Sequence, residues 1–417
     1  MYTGKVECLK CGAAFESEKM FEGCPQCKTA KFVSNVSPIY DYNPKDFINS
    51  LKQSTENNIF KYKGLLPFKG KKDFISLSEG LTPTVKFDRL SNELGINLYA
   101  KDESRNPTWS QKDRLNAVLI NKAVDMGAPG TVFATTGNNG ASGAAYAAKA
   151  GLPCLILTVK KASPSFNAFM QVYGAAVVAL ETYEDRWVLM EKCVNEFGWY
   201  PGTNFVDPLV GSNAWGNEGY KTIAYEIFEQ MEILPDKFVV PISIGDGLFG
   251  IYKGFDDLKR MGLIEKIPQL VSVENFGPLY NAISKNLDYI PEVASRESCA
   301  ASMSIAKGAY QAMKAIKESK GEAVLIDTDE PIMQAQKDIA RNEGLYCEPA
   351  SASCLAAVRQ LLEKKIIKEN ERVVMLLTST GVKDTISTAK YLPEVPYISP
   401  VMGELSKALK NSYGVSL

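Results

Sequence analysis

Histidine is missing altogether from the 417 residues. That removes Ser-His-Asp and Cys-His nucleophile arrangements and every histidine-ligated metal site, so proton transfer rests on Lys, Asp, Glu, Tyr, Cys or a cofactor. A net charge is missing too: 47 basic residues stand against 48 acidic ones, giving −1. Without a long-range field the chain is not expected to gather nucleic acid or an anionic membrane, and any anion it binds must be held locally. No run reaches the roughly 18 apolar residues of a membrane span. Met1-Tyr-Thr-Gly-Lys lacks the basic-then-apolar start of a signal peptide, so the chain is read as cytoplasmic.

What is present begins with nine cysteines, unevenly spread. An odd total in a long cytosolic chain argues against a disulfide framework. Cys8-Leu-Lys-Cys11 and Cys24-Pro-Gln-Cys27 form two C-x-x-C knuckles at the spacing of a four-thiolate zinc ribbon. Four thiolates leave no open coordination position, so the expected Zn²⁺ is structural, a folding staple for residues 1–35. Residues 36–72 read as a connecting arm.

From Phe74 onward, short apolar runs alternate with helical stretches. Strands are expected at Asn97–Ala100, Thr131–Ala134, Leu152–Val159, Ala176–Leu180, Lys237–Ile242, Gln269–Val273 and Val373–Leu377, with helices at Gln111–Met126 and Ser142–Ala150. Strands separated by helix-length segments imply an α/β fold with parallel, doubly wound sheets. The polar stretch after Tyr397 (396–417) reads as a helical tail.

Ligands in such folds collect where strands end and helices begin, because free backbone N–H groups and the helix dipole hold anions there. Four segments have this form. Ala134 to Ser142 offers glycines beside the donors of Asn138 and Asn139, or is an ordinary strand-to-helix loop. Val240 to Gly250 suits a phosphate monoester but is neither a P-loop nor a Gly-x-Gly-x-x-Gly turn. Leu377 to Lys383 supplies hydroxyls able to hydrogen-bond a ring nitrogen. Asn106 to Arg114 places Lys112 in a helix's first turn, where the dipole disfavours an ammonium and favours a neutral, nucleophilic amine; the plain alternative is a solvated lysine.

In order and wording these segments resemble the tryptophan-synthase-β type (fold type II) of pyridoxal-phosphate (PLP) enzymes, threonine synthases in particular. Glu79-Gly-Leu-Thr-Pro83, Lys101 to Arg114, Thr135 to Ser142 and Cys347-Glu-Pro-Ala-Ser-Ala352 match the family's motifs over about residues 75 to 390. The resemblance implies two doubly wound domains: a large PLP domain from 36–105 and 226–395, and a small domain nested at 106–225. It makes Lys112 the Schiff-base lysine and Asn138 the partner of the PLP 3-hydroxyl. Ser243, Ile244, Gly245, Asp246, Gly247 and Leu248 would hold the cofactor phosphate, and Thr378 the ring nitrogen. Thr135, Asn138, Asn139 and Asn204 would bind an amino-acid substrate, in a homodimer. A neutral hydroxyl at the ring nitrogen suits elimination and replacement better than transamination.

The implied function is a PLP-dependent carbon–oxygen lyase acting on an amino acid with an activated side chain. Two other readings are a serine/threonine dehydratase-like ammonia-lyase and a non-catalytic zinc-ribbon protein on a PLP scaffold. Where threonine synthases grip a substrate phosphate, this chain has Phe205 in the serine position and Gly216 in the arginine position, after an insertion at Gly211 to Trp215. If these residues line the pocket's distal end, a phosphate dianion lacks partners and is rejected.

Overall fold

The computed structural model describes residues 1–16 and 19–417. The first three strands, β1 (Tyr2–Cys8), β2 (Ala14–Phe15) and β3 (Val36–Tyr40), form an antiparallel sheet in the order β2-β1-β3. The ribbon's sheet thus runs past residue 35 into the arm. Strands β4 (Thr84–Lys86) and β5 (Asn97–Asp102) open a larger sheet. The chain then leaves it to build a second sheet from β6 (Thr131–Ala134), β7 (Cys154–Val159), β8 (Ala176–Leu180) and β9 (Tyr200–Pro201), in the order β8-β7-β6-β9. It returns with β10 (Lys237–Pro241), β11 (Gln269–Glu274), β12 (Glu322–Leu325) and β13 (Arg372–Leu377), completing the order β12-β11-β10-β13-β5-β4. Pairing in the two large sheets is parallel except for β4 at its edge. This is the α/β architecture that the resemblance implies.

The large sheet is covered on both faces, which is why its central strands read as unbroken apolar runs. Successive side chains point to opposite faces. Phe238, Val240, Val374 and Leu376 join one buried cluster, while Val239, Val373, Met375 and Leu377 join another. The first helical turn after β6 begins at Asn138, four residues before the expected Ser142. Asn and Gly are poor helix formers, so the sequence reads as loop; here the turn is fixed by bonds that its side chains make elsewhere. The carboxyl ends of β5, β6, β10 and β13 lead into the four segments singled out above. The tail helix Met402–Tyr413 has no buried residue. No helix of the described residues is long and apolar enough to cross a membrane.

Candidate active site and metal centre

Lys112 opens the helix Lys112–Asp125, which is buried almost throughout. Its Nζ donates to Tyr220 Oη at 3.0 Å. Burial opposes its charge, but Tyr220, Asp246 and Glu348 outweigh burial and hold the amine above its ordinary value. The expectation of a neutral amine is therefore reversed in this state: the neighbouring oxygens outweigh burial. Their identity also locates Lys112, between Asp246 of the β10 loop and Glu348 near the end of β13.

At the β13 end, Thr378 Oγ1 donates to Glu348 Oε1 at 2.8 Å and shares a 2.8 Å bond with Ser351 Oγ. Asn138 Nδ2 donates to Glu348 Oε2 at 3.1 Å, and Lys383 Nζ donates to Asn138 Oδ1 at 2.7 Å. Burial raises the Glu348 carboxyl above its usual range. It lowers Lys383 to about 8, with Glu348 and Asp113 pulling the other way. Thr378 and Asn138, chosen from sequence, are thus joined by Glu348 and Lys383, which were not. Glu348 lay inside the quoted Cys347-to-Ala352 motif; Lys383 carried no signal beyond its place after a strand end.

The β10 loop runs through half-buried Ser243 and Ile244 to Gly245, at φ +100°, and into the helix Asp246–Arg260. Gly245 is required there, since a Cβ would stand 2.2 Å from Ala312 Cβ. The first backbone N–H groups of that helix, at Asp246, Gly247 and Leu248, have no intrahelical acceptor. Facing Gly247, Gln111 Oε1 is buried without a partner and lies 3.3 Å from where a Cβ would be. Together with Lys112 and Thr378, this open, polar cradle fits a cofactor bearing a phosphate, a carbonyl-derived carbon and a ring nitrogen.

Other candidates are placed differently. Thr135 is half-buried, its Oγ1 accepting from Gly137 N–H at 3.4 Å. Asn139 is engaged inside the fold, donating to the Gly202 carbonyl at 3.2 Å and accepting from Asn116 Nδ2 at 2.9 Å. The Asn204 amide holds its own loop, bonding the Val206 carbonyl at 2.8 Å and the Val210 N–H at 3.1 Å. Phe205 packs under the second sheet with Val132, Leu157, Met190 and Val194. A Cβ on Gly216 would meet Leu119 at 3.2 Å, so this position faces the core. Neither lines the pocket, and the expected rejection of phosphate loses its structural basis. Lys221 pairs with Glu218 and Asp257 at 2.8 and 2.9 Å. Arg114 is locked between Glu103 and Glu226.

A cleft of about 480 Å³ opens beside this constellation. Trp109, Phe166 and Phe169 give it an apolar wall, and Ser163, Ser165, Thr380 and Thr385 give it hydroxyls. Among the lining residues Lys383 is the single cation, and the one carboxylate, Asp384, caps a helix through Ser387 N–H at 3.2 Å.

The four ribbon sulfurs lie within 4.8 Å of one another. Cys8 and Cys27 Sγ are 3.7 Å apart, and Cys11 and Cys24 Sγ 3.9 Å. Four sulfurs at Zn–S distances of about 2.3 Å in a tetrahedron stand at such separations, so the cluster fits zinc. Burial pushes the Cys8 thiol up, but the Cys11 N–H, the Ser34 hydroxyl and the Lys10 N–H together outweigh it and bring it down to about 7.

The chain is similar over most of its length to several known proteins. A threonine synthase of Methanocaldococcus jannaschii is 33% identical over 413 residues, 97% of this chain and 98% of that protein. One from Methanosarcina acetivorans is 34% identical over 389 residues, 91% and 92% of the two chains. The crystal structure of O-ureido-L-serine synthase superposes with a TM-score of 0.64 at 19% identity, covering 81% of this chain and all of that one, a likeness of fold. Residues 75–379 match the family described as pyridoxal-phosphate dependent enzymes. With a match of that length and relatives of that identity, the chain belongs to the pyridoxal-phosphate dependent enzyme family and is a threonine synthase-like lyase.

Proposed function

We propose that this lyase breaks a carbon–oxygen bond in the side chain of an amino acid that carries an anionic group, by elimination or replacement. The observation that carries the reading is Lys383, the one cation on the cleft wall, 2.7 Å from an Asn138 that is itself tied to Glu348. PLP, when bound, supplies an electron sink for the pair left at the substrate's α-carbon. Lys112 would hold the cofactor, and its Nζ, when free, would take the substrate's α-proton and return it. The N–H groups of Asp246 to Leu248 hold the cofactor phosphate. Thr378, turning its hydroxyl proton from Glu348 to the ring nitrogen, would donate a hydrogen bond there, and Asn138 would donate to the ring hydroxyl. Lys383 meets the departing anion, helped by the hydroxyls of the cleft. Trp109, Phe166 and Phe169 keep bulk water from the reacting atoms.

The PLP-loaded protein is assayed with O-phospho-L-homoserine and, separately, with L-serine and L-threonine. Release of inorganic phosphate together with threonine is expected. Release of 2-oxo acid from serine or threonine, without phosphate turnover, overturns this reading in favour of an ammonia-lyase.

A further inference from the structure

Between the metal ribbon and the β10 loop runs a relay of buried amides. Asn35, where the chain leaves the ribbon, donates from Nδ2 to the Ser212 carbonyl at 3.1 Å and to Gln311 Oε1 at 2.9 Å. Gln311 in turn donates from Nε2 to Asp246 Oδ1. The same oxygen accepts from Ser212 N–H at 3.0 Å and Asn217 Nδ2 at 3.3 Å. A glutamine amide can turn end for end, but with its oxygen held by Asn35 only its NH₂ is left for Asp246.

The backbone is shaped around this relay. Gly211, at φ +114°, leaves room that a Cβ would fill 2.8 Å from Gln311 Nε2 and 3.0 Å from Asn35 Nδ2. Ala309 N–H donates to the Ile244 carbonyl at 3.1 Å, so the segment carrying Gln311 also grips the loop directly. On the other side, inserted Ala214 and Trp215 share one apolar cluster with Val6, Cys8, Cys24 and Val36. Phe21 meets Trp215 edge-on at 5.8 Å. The insertion is thus clasped between the metal ribbon and Asp246.

Asp246 is a buried carboxylate in the first turn of the helix proposed to hold the PLP phosphate. Two anions at one helix terminus repel each other, and the three donors on Oδ1 offset that repulsion. We propose that Gln311 and Asn35 are positioning residues for the cofactor, through which metal occupancy of the ribbon is felt at the β10 loop. This rests on placing the PLP phosphate at Gly245 to Leu248.

The full-length chain, freed of PLP, is titrated with PLP while the visible absorbance is followed, and its zinc content is measured. Losing a donor to a buried carboxylate corresponds to a weakening of about tenfold. Gln311→Met and Asn35→Asp should each weaken PLP by that factor with zinc retained. In the latter variant the new carboxylate could only accept, turning the Gln311 oxygen toward Asp246. Stripping zinc from the unaltered chain should weaken PLP likewise, and stripping it from Gln311→Met should add little. Asp246→Asn in the Gln311→Met background should restore affinity, because it removes the charge that needs the donor; a merely structural defect would not be rescued. Unchanged PLP affinity in Gln311→Met, a full further loss when that variant is stripped, or no rescue overturns the proposal. An unaltered chain that takes up no PLP at all overturns the cofactor reading itself, and this proposal with it.

Discussion

Replacing Lys383 with methionine keeps the unbranched apolar stem of the side chain and removes its charged terminal nitrogen. In the structure its ammonium makes one hydrogen bond, to Asn138 at 2.7 Å, and among the described residues it forms no ion pair. An anionic substrate group in the cleft would therefore meet a charge that Glu348 and Asp113 attract but do not pair with directly. A hydrogen bond to a charged group contributes about 1.5–3 kcal/mol, and truncating one side of a buried charged pair costs about 2–5 kcal/mol. A loss of about 2–3 kcal/mol corresponds to a roughly 30- to 150-fold fall in kcat/KM. Steady-state kinetics with O-phospho-L-homoserine should show that fall, while O-acetyl-L-homoserine, whose side chain is neutral until acetate departs with a single charge, should fall by a clearly smaller factor. Burial brings Lys383 down to about 8. Below that pH it is the ammonium and above it increasingly the neutral amine, so KM for the phosphate substrate should rise as pH passes 8. In Lys383→Arg the rise should vanish. Equal losses for both substrates in Lys383→Met refute the assignment, because a residue that only shapes the cleft does not discriminate by charge.

Three further outcomes follow from the packing. Gly216→Arg should not create a phosphate grip: its side chain would be driven against Leu115 and Leu119, destabilising the fold by about 3 kcal/mol or more in urea denaturation. Burial alone would raise Glu226, but Arg114 and Lys101 outweigh it and hold it at about 2, below its ordinary 4.5. With the folded value depressed, its stabilisation is complete above pH 4.5 and is lost as pH falls toward 2. Glu226→Gln should cost about 3–5 kcal/mol at neutral pH and flatten that acid limb of the urea midpoint. Cys24→Ala should release the metal, read by a colorimetric zinc assay, and lower the thermal midpoint, because Cys24 is also part of the apolar cluster around Trp215.

The strands were legible because parallel strands covered on both faces are continuous apolar runs, as in Val373 to Leu377. The turns that carry Lys112, Gly245 and Thr378 were legible as strand-to-helix junctions because Gly, Pro, Asn and hydroxyl residues cluster where an apolar run gives way to a helix. Phe205 and Gly216 were misplaced for a physical reason: a motif position says which residue follows which, not whether the side chain faces the cleft or the core. Glu348 and Lys383 are 35 residues apart in sequence, and each bonds Asn138, which lies on a third segment again. The ribbon read as a separate staple because nothing in its thirty-odd residues announces that Trp215 completes its core.

The account stands most directly on Lys112. Borohydride reduction of the PLP-loaded protein, followed by proteolysis and mass spectrometry, locates the lysine that carries the cofactor. A pyridoxyl group on the peptide containing Lys112, together with loss of the visible absorption band in Lys112→Ala, is the expected result. A pyridoxyl group on Lys383 or any other lysine, or an unaltered band in Lys112→Ala, contradicts the account.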